Sequence, residues 1–245
     1  RVVNLAPAGT YALAKNIDPD IRPGKGVTEQ RKLSDYFEPL KGTNLDTDVF
    51  ILDSGKPGAT GLALGGTHGN ELAGTVAALL MLENAVVTSG KLIVIPYANR
   101  SALSMKDTRK QIARRHTIES RTGERVLPYG DRRTDPKDQG VDDPGEYTNP
   151  GGYTLKQGKE SRNLNRTYPG DAEGTPTEQL GYAIMNLLRQ ENIDFSLDMH
   201  EANTPERQSR DDGNYSPGGN KRLSYTLVSH PRGLETGAYA LLSME

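Results

Sequence analysis

The sequence predicts an α/β domain with a mixed, largely parallel central sheet and helices on both faces. Three observations predict it. Short β-type runs alternate with helical ones along the chain. One such run, residues 91–96, holds Leu92, Ile93, Val94 and Ile95 in succession, as a parallel strand covered on both faces does. A glycine-rich segment, Gly65-Gly66-Thr67-His68-Gly69-Asn70-Glu71, joins a β-type run to a helical one, the kind of junction at which open α/β sheets build their sites.

Taken in order, residues 48–52 and 59–64 read as strands, and the Gly and Pro residues of 53–58 between them read as a hairpin turn. Leu72, Val76, Leu79 and Leu80 then recur at helical spacing, so residues 70–84 should form a helix with one face on the sheet. Residues 91–96 follow as the next strand. Over 101–160 the apolar periodicity disappears and Gly, Pro, Asp, Lys and Arg dominate, which marks a long polar insertion rather than core. Within it, residues 109–116 read as a solvated helix face in preference to an anion-binding lid, and His116 as structural.

The regular pattern resumes at Thr175-Pro176-Thr177-Glu178, which sets a capping Thr, a first-turn Pro and a reciprocal Glu ahead of Leu180, Ala183, Ile184, Leu187 and Leu188. Residues 193–200 alternate, with Ile193, Phe195, Leu197 and Met199 on one face and Asp194, Ser196, Asp198 and His200 on the other. His200 therefore falls at a strand's C-terminal end. A strand near 223–229 and a helix near 233–244 complete the order, with His230 structural.

Composition narrows the function. The chain has 245 residues, enough for one core that needs no staples, and we expect a single domain over 1–245 with the insertion inside it. Thirty basic against thirty-two acidic side chains leave a net charge of -2, so no global field draws the protein to nucleic acid or to an anionic membrane. No apolar run approaches the roughly 18 residues that cross a bilayer, so we expect a soluble protein. The absence of cysteine excludes disulfides, thiolate ligands and a cysteine nucleophile, and fits either redox compartment. A first residue of Arg1 rather than Met leads us to expect a processed leader or trimmed start, and with it a lean toward export.

The chemistry-bearing residues lie at strand ends. His68 and Glu71 are three positions apart in the glycine-rich turn, close enough to offer an imidazole nitrogen and a carboxylate oxygen to one ion. His200, at the end of another strand, supplies a third donor on the same sheet edge. Two His and one Glu with an open fourth position form the ligand set of a catalytic zinc site, so one Zn(2+) per chain is expected. Asp198 either orients a ligand His or is a structural hydrogen-bonder. Asn165 and Arg166, side by side in a polar loop, suit a carboxylate, and Arg162 either assists Arg166 or sits at the surface. A blander reading makes both histidines ordinary polar residues without a metal.

Together, His68-Gly69-Asn70-Glu71, Asn163-Leu164-Asn165-Arg166 and Asp198-Met199-His200, in that order, resemble the succinylglutamate desuccinylase and aspartoacylase family of the zinc carboxypeptidase superfamily. The resemblance spans roughly residues 48–200, and Pro96-Tyr97-Ala98-Asn99 resembles the family's strand-to-loop junction. It implies a zinc carboxypeptidase-like fold, zinc on His68, Glu71 and His200, and Asn165 and Arg166 gripping a substrate carboxylate. It also implies a general-base Glu further from the last His ligand than this chain extends, so we expect the base beyond Glu245 and the C-terminal part of the domain to be missing. Glu201 adjoins a ligand, Glu235 and Glu245 fall on the expected helix, and none takes that role. The expected activity is hydrolysis of an amide bond in a carboxylate-bearing small molecule, such as an N-acyl amino acid. The alternatives are a metallocarboxypeptidase acting on short peptides and a non-catalytic zinc-containing module that binds a carboxylate-bearing ligand.

Overall fold

The computed structural model describes residues 19–104, 106–107, 112–120, 123–201 and 233. The chain divides into two compact units, Arg1–His200 and Glu201–Glu245. The strand expected at 223–229, the helix expected at 233–244 apart from Gly233, and His230, Glu235 and Glu245 lie outside the described residues.

The first unit opens with β1 (Glu29–Lys32), β2 (Asp48–Asp53) and β3 (Thr60–Leu64), followed by α1 (Leu72–Asn84), β4 (Lys91–Ile95) and α2 (Arg100–Ser104). The insertion then carries β5 (Lys106–Asp107), β6 (Ile112–Ser120), β7 (Gly123–Tyr129), α3 (Pro136–Gln139), β8 (Tyr147–Thr148) and β9 (Thr154–Leu155). A 3-10 helix (Gly158–Arg162) leads into α4 (Leu164–Thr167), α5 (Pro176–Gln190) and β10 (Phe195–Asp198).

The central sheet has five strands in the order β1-β2-β4-β3-β10. It is mixed: β4, β3 and β10 run parallel, while β2 is antiparallel to both of its neighbours. Strand alternation splits its side chains between two layers. Val49, Ile51, Leu62, Leu64, Ile93 and Ile95 meet Leu180, Ala183, Ile184 and Leu187 of α5 on one face. Phe50, Leu52, Ala63 and Val94 meet Ala78 and Leu82 of α1 on the other. Each fully buried Leu or Ile in such a layer contributes about 1.5–3 kcal/mol relative to exposure. The start of α5 follows the expected cap, with Glu178 Oε2 accepting from the Thr175 backbone N–H at 2.7 Å and from its hydroxyl at 2.9 Å.

Four expectations are corrected. Residues 53–58 do not close a hairpin, because β4 lies between β2 and β3 and pairs with both. The turn spans the N-terminal end of β4 instead, with Ser54 N–H donating to Gly90 O at 3.1 Å and Lys91 N–H to Ala59 O at 3.0 Å. β4, with four apolar residues in succession, thus takes the central position, where it is paired on both edges and covered on both faces. In α1 the buried stripe is Leu72, Thr75, Ala78, Leu79 and Leu82, while Leu80 is 54% exposed.

The insertion supplies core after all. Ile112 to His116 belong to β6 and not to a helix, and β6 pairs antiparallel with β7 through His116↔Leu127 and Ile118↔Arg125. Residues 109–111 lie outside the described residues. Leu127 packs with Leu72, Leu79, Tyr97 and Leu103, and the His116 ring meets the Tyr129 ring edge-on at 4.7 Å. In β6 Arg114 and His116 share the parity of Ile112 and Ile118, and Ala113 that of Arg115, Thr117 and Glu119, so the period-2 contrast is weak and a search for helical periodicity passes over it. No helix among the described residues is long and apolar enough to cross a membrane.

Candidate metal centre

The site forms where β3 ends. Gly66 turns the chain with φ +65, a conformation that favours glycine, and a Cβ there would meet Pro96 O and Tyr97 Cα at 3.0 Å. The ladder between β3 and β4 continues into the two loops, with Ala98 N–H donating to Gly65 O at 2.8 Å and Asn99 N–H to Gly66 O at 3.0 Å. The next loop residues are pinned from the insertion, because Gly69 N–H donates to Asp131 O at 2.8 Å and Gly130 N–H to Gly69 O at 2.9 Å. A side chain on Gly69 would strike Ala102 O at 2.6 Å, so glycine permits this close approach.

His68 and Glu71 leave this loop 1% and 9% exposed. Glu71 stands at the N-cap of α1 without capping it. Its carboxylate turns instead to the two imidazoles, with Oε1 at 2.7 Å from His68 Nδ1 and Oε2 at 2.7 Å from His200 Nδ1. His200 arrives from the far side of β3, since β10 pairs parallel with β3 and Met199 N–H extends the ladder to Leu64 O at 2.9 Å. One donor atom from each of His68, Glu71 and His200 lies within 4.8 Å of the others.

The remaining imidazole nitrogens are also engaged. His68 Nε2 lies 2.9 Å from Asn163 Oδ1 and 3.3 Å from Asn165 Oδ1. His200 Nε2 lies 3.1 Å from Asp198 Oδ2, whose other oxygen accepts the Thr67 hydroxyl at 2.8 Å. Asp198 therefore touches one candidate ligand histidine and the loop of the other. Burial opposes charge on Glu71, but hydrogen bonds from His200 and His68 outweigh it and hold the carboxyl well below its usual range. Burial likewise opposes charge on His200, whose bonds to Asp198 and Glu71 win and raise its pKa from 6.5 to about 9. The Glu71 carboxylate thus lies against both Nδ1 positions, and the donor set fits a divalent cation: two imidazoles that present the same nitrogen to one carboxylate, each held through its other nitrogen.

Around these donors the structure sorts the expected substrate residues. Asn165 reaches His68, and Arg166 donates to Asn165 Oδ1 at 3.1 Å while staying 38% exposed. Arg162 is tied elsewhere, donating to both oxygens of Asp143 at 2.7 and 2.9 Å and to Thr134 O at 2.7 Å. Glu201 is exposed beside His200. Two residues that the sequence did not single out join the site. Asn163 is fully buried against His68, and Arg132, from the insertion, donates to Glu71 Oε1 at 2.9 Å. Asn163 was open to discovery, since it begins the Asn-Leu-Asn-Arg run, whereas nothing local distinguishes Arg132 from Arg133 beside it.

No family model matches the sequence, and no curated protein matches it. Solved structures do. The chain is similar to a succinylglutamate desuccinylase/aspartoacylase from Rhodobacter sphaeroides at 20% identity and TM-score 0.40, covering 64% of this chain and 33% of that one. It is similar to the product-bound ectoine utilization protein of Ruegeria pomeroyi at 22% identity and TM-score 0.39, covering 64% and 33%. An aspartoacylase family protein from Mesorhizobium loti matches at 22% identity and TM-score 0.41, covering 75% and 42%. The alignments thus span between a third and about two fifths of the length of these proteins.

Proposed function

We propose that this chain carries the metal centre of a zinc-dependent hydrolase that cleaves an amide bond in a carboxylate-bearing small molecule, of the N-acyl amino acid type. The observation that carries the reading is the convergence of His68, Glu71 and His200, two of them buried, with donor atoms within 4.8 Å. His68 Nδ1, a Glu71 carboxylate oxygen and His200 Nδ1 would hold the ion. When bound, zinc acts as a Lewis acid that activates water and relieves the negative charge developing on a carbonyl oxygen.

The chain's own residues would do the rest. Asn163 and Asp198 hold the two imidazoles in orientation. Arg166, 38% exposed, bonded to the neutral amide beside it and 3.9 Å from Glu160 Oε2, would pair with the substrate's carboxylate through the free edge of its planar fork, and Asn165 would add a polar contact next to His68. Fixing that carboxylate places the amide carbonyl at the ion, turning binding energy into orientation. Arg132 adds a second guanidinium at the rim, favouring anionic over neutral substrates.

The test is metal content together with activity of the full-length protein. We expect about one equivalent of zinc, lost in His200→Ala, and hydrolysis of an N-acyl amino acid in preference to a short peptide. A preference for the peptide would move the assignment to a carboxypeptidase. Stoichiometric zinc with no hydrolysis of either substrate would replace the enzyme with a zinc-containing binding module.

A further inference from the structure

Behind His68 lies a chain of polar groups whose direction is set at its far end. The 3-10 helix Gly158–Arg162 has about three residues per turn, which stacks Glu160 beneath Asn163. Asn163 backbone N–H donates to Glu160 O at 3.0 Å, and its side-chain Nδ2 donates to Glu160 Oε2 at 2.6 Å. The other carboxylate oxygen, Glu160 Oε1, accepts Arg133 Nε at 3.2 Å and also its terminal nitrogen. Burial raises the Glu160 pKa, but hydrogen bonds from Arg133 and Asn163 more than offset it and lower the value. An ionised carboxylate only accepts.

That asymmetry propagates. A reversed Asn163 amide would set its oxygen against the Glu160 carboxylate, two acceptors at contact in a buried site. The NH2 group must therefore face Glu160, and Oδ1 must face His68 Nε2 at 2.9 Å. Asn165 Oδ1 approaches the same nitrogen at 3.3 Å, a second acceptor on Nε2. Both demand an N–H there. We infer that Glu160, anchored by Arg133, orients the Asn163 amide so that His68 holds an N–H on Nε2 and Nδ1, which faces Glu71 Oε1 at 2.7 Å, is the nitrogen left to the metal, making Glu160 and Asn163 positioning residues of the centre. Because the amide passes on direction without adding charge, it does so beside Glu71 and Asp198 without a third carboxylate at the donors.

The inference rests on the zinc reading of the site, and the experiment separates the two. In protein labelled with 15N-histidine, His68 resonances assigned with His68→Ala should show a protonated Nε2 both without metal and with zinc, and a metal-shifted Nδ1 with zinc. Glu160→Gln can donate as well as accept, so Asn163 becomes free to flip. In that variant we expect a mixture of tautomers and zinc affinity, measured by chelator competition, lowered about 10- to 100-fold. The double variant Glu160→Gln with Asn163→Asp rebuilds the same direction with the donor and acceptor types exchanged, and should return the Nε2–H form and bring affinity within about fivefold of the parent, an outcome that loss of packing alone would not give. A bare Nε2 in the parent protein overturns the inference whatever the variants do, and so does unchanged zinc affinity in Glu160→Gln. A parent protein that shows Nε2–H but binds no zinc sinks the metal reading and leaves the relay standing.

Discussion

Beneath the middle of α5, Leu180, Ala183, Ile184 and Leu187 are at most 1% exposed and meet the sheet through apolar contact. Around the N-terminal turn of the same helix, Thr177, Thr134, Asn99 and Gln139 are at most 2% exposed and meet through hydrogen bonds. The Thr177 hydroxyl donates to Gln139 Oε1 at 2.6 Å and approaches the Thr134 hydroxyl at 2.9 Å, while Asn99 Nδ2 donates to Thr134 Oγ1 at 3.1 Å. One helix is thus anchored twice, by area and by direction. Apolar contact is non-directional, so the stripe fixes the helix on the sheet but tolerates small shifts. The polar cluster fixes angles. It holds residue 134 by side chain and backbone, with Thr134 N–H donating to Arg162 O at 2.8 Å, and so sets the loop that presents Arg132 to Glu71.

The comparison can be broken at either end. The largest effect is expected in the stripe, where Leu187→Ala should cost about 2–5 kcal/mol in urea unfolding while the folded protein keeps its zinc affinity. A loss of affinity larger than about threefold in that variant would mean that the two anchors are not separable. Thr134→Val keeps the shape but leaves Asn99 Nδ2 without its acceptor and the Thr177 hydroxyl without its polar neighbour, and about 1–3 kcal/mol should be lost. Thr134→Ser keeps the hydroxyl and should lose less, and equal losses in the two variants would assign the position to packing.

The smallest effect sharpens the contrast with pH. At the C-terminal end of α5, Glu191 accepts Arg31 at 2.6 Å, Lys91 at 3.1 Å and Tyr36 OH at 3.0 Å. Burial raises its pKa, but hydrogen bonds from Lys91 and Tyr36 and the nearby cations lower it below 4.5 overall. A depressed carboxyl contributes stability that is present above its unfolded pKa and lost as pH falls through the folded value. Stability of the parent should therefore decline below about pH 4.5 more steeply than that of Glu191→Gln. Parallel acid profiles for the two proteins would remove Glu191 from the account.

Much of the site was legible because its donors are marked locally. Gly65 to Glu71 announces a strand-to-helix turn, and alternation over 193–200 carries His200 to a strand end. The capped start of α5 was legible for the same reason, since Thr175, Pro176 and Glu178 act within one turn. Less was legible in the insertion. Its strands alternate polar with apolar at low contrast, and Leu127 finds apolar partners only when α1 and the loop after β4 are already in place. Arg132 and Glu160 gave no signal, because an arginine or a glutamate in a polar loop looks alike whether it faces solvent or a buried partner.

What the amino-acid order determined alone is therefore the set of elements and the residue types at their ends, since periodicity, capping and glycine turns act between near neighbours in the chain. The tertiary structure decided which strand lies beside which, seating β4 between β2 and β3. It also decided which distant groups share one buried space, bringing Asn163 onto His68 and Arg132 onto Glu71. Those choices minimise exposed apolar surface and unpaired polar atoms over the whole domain, and such a balance has no local trace in the sequence.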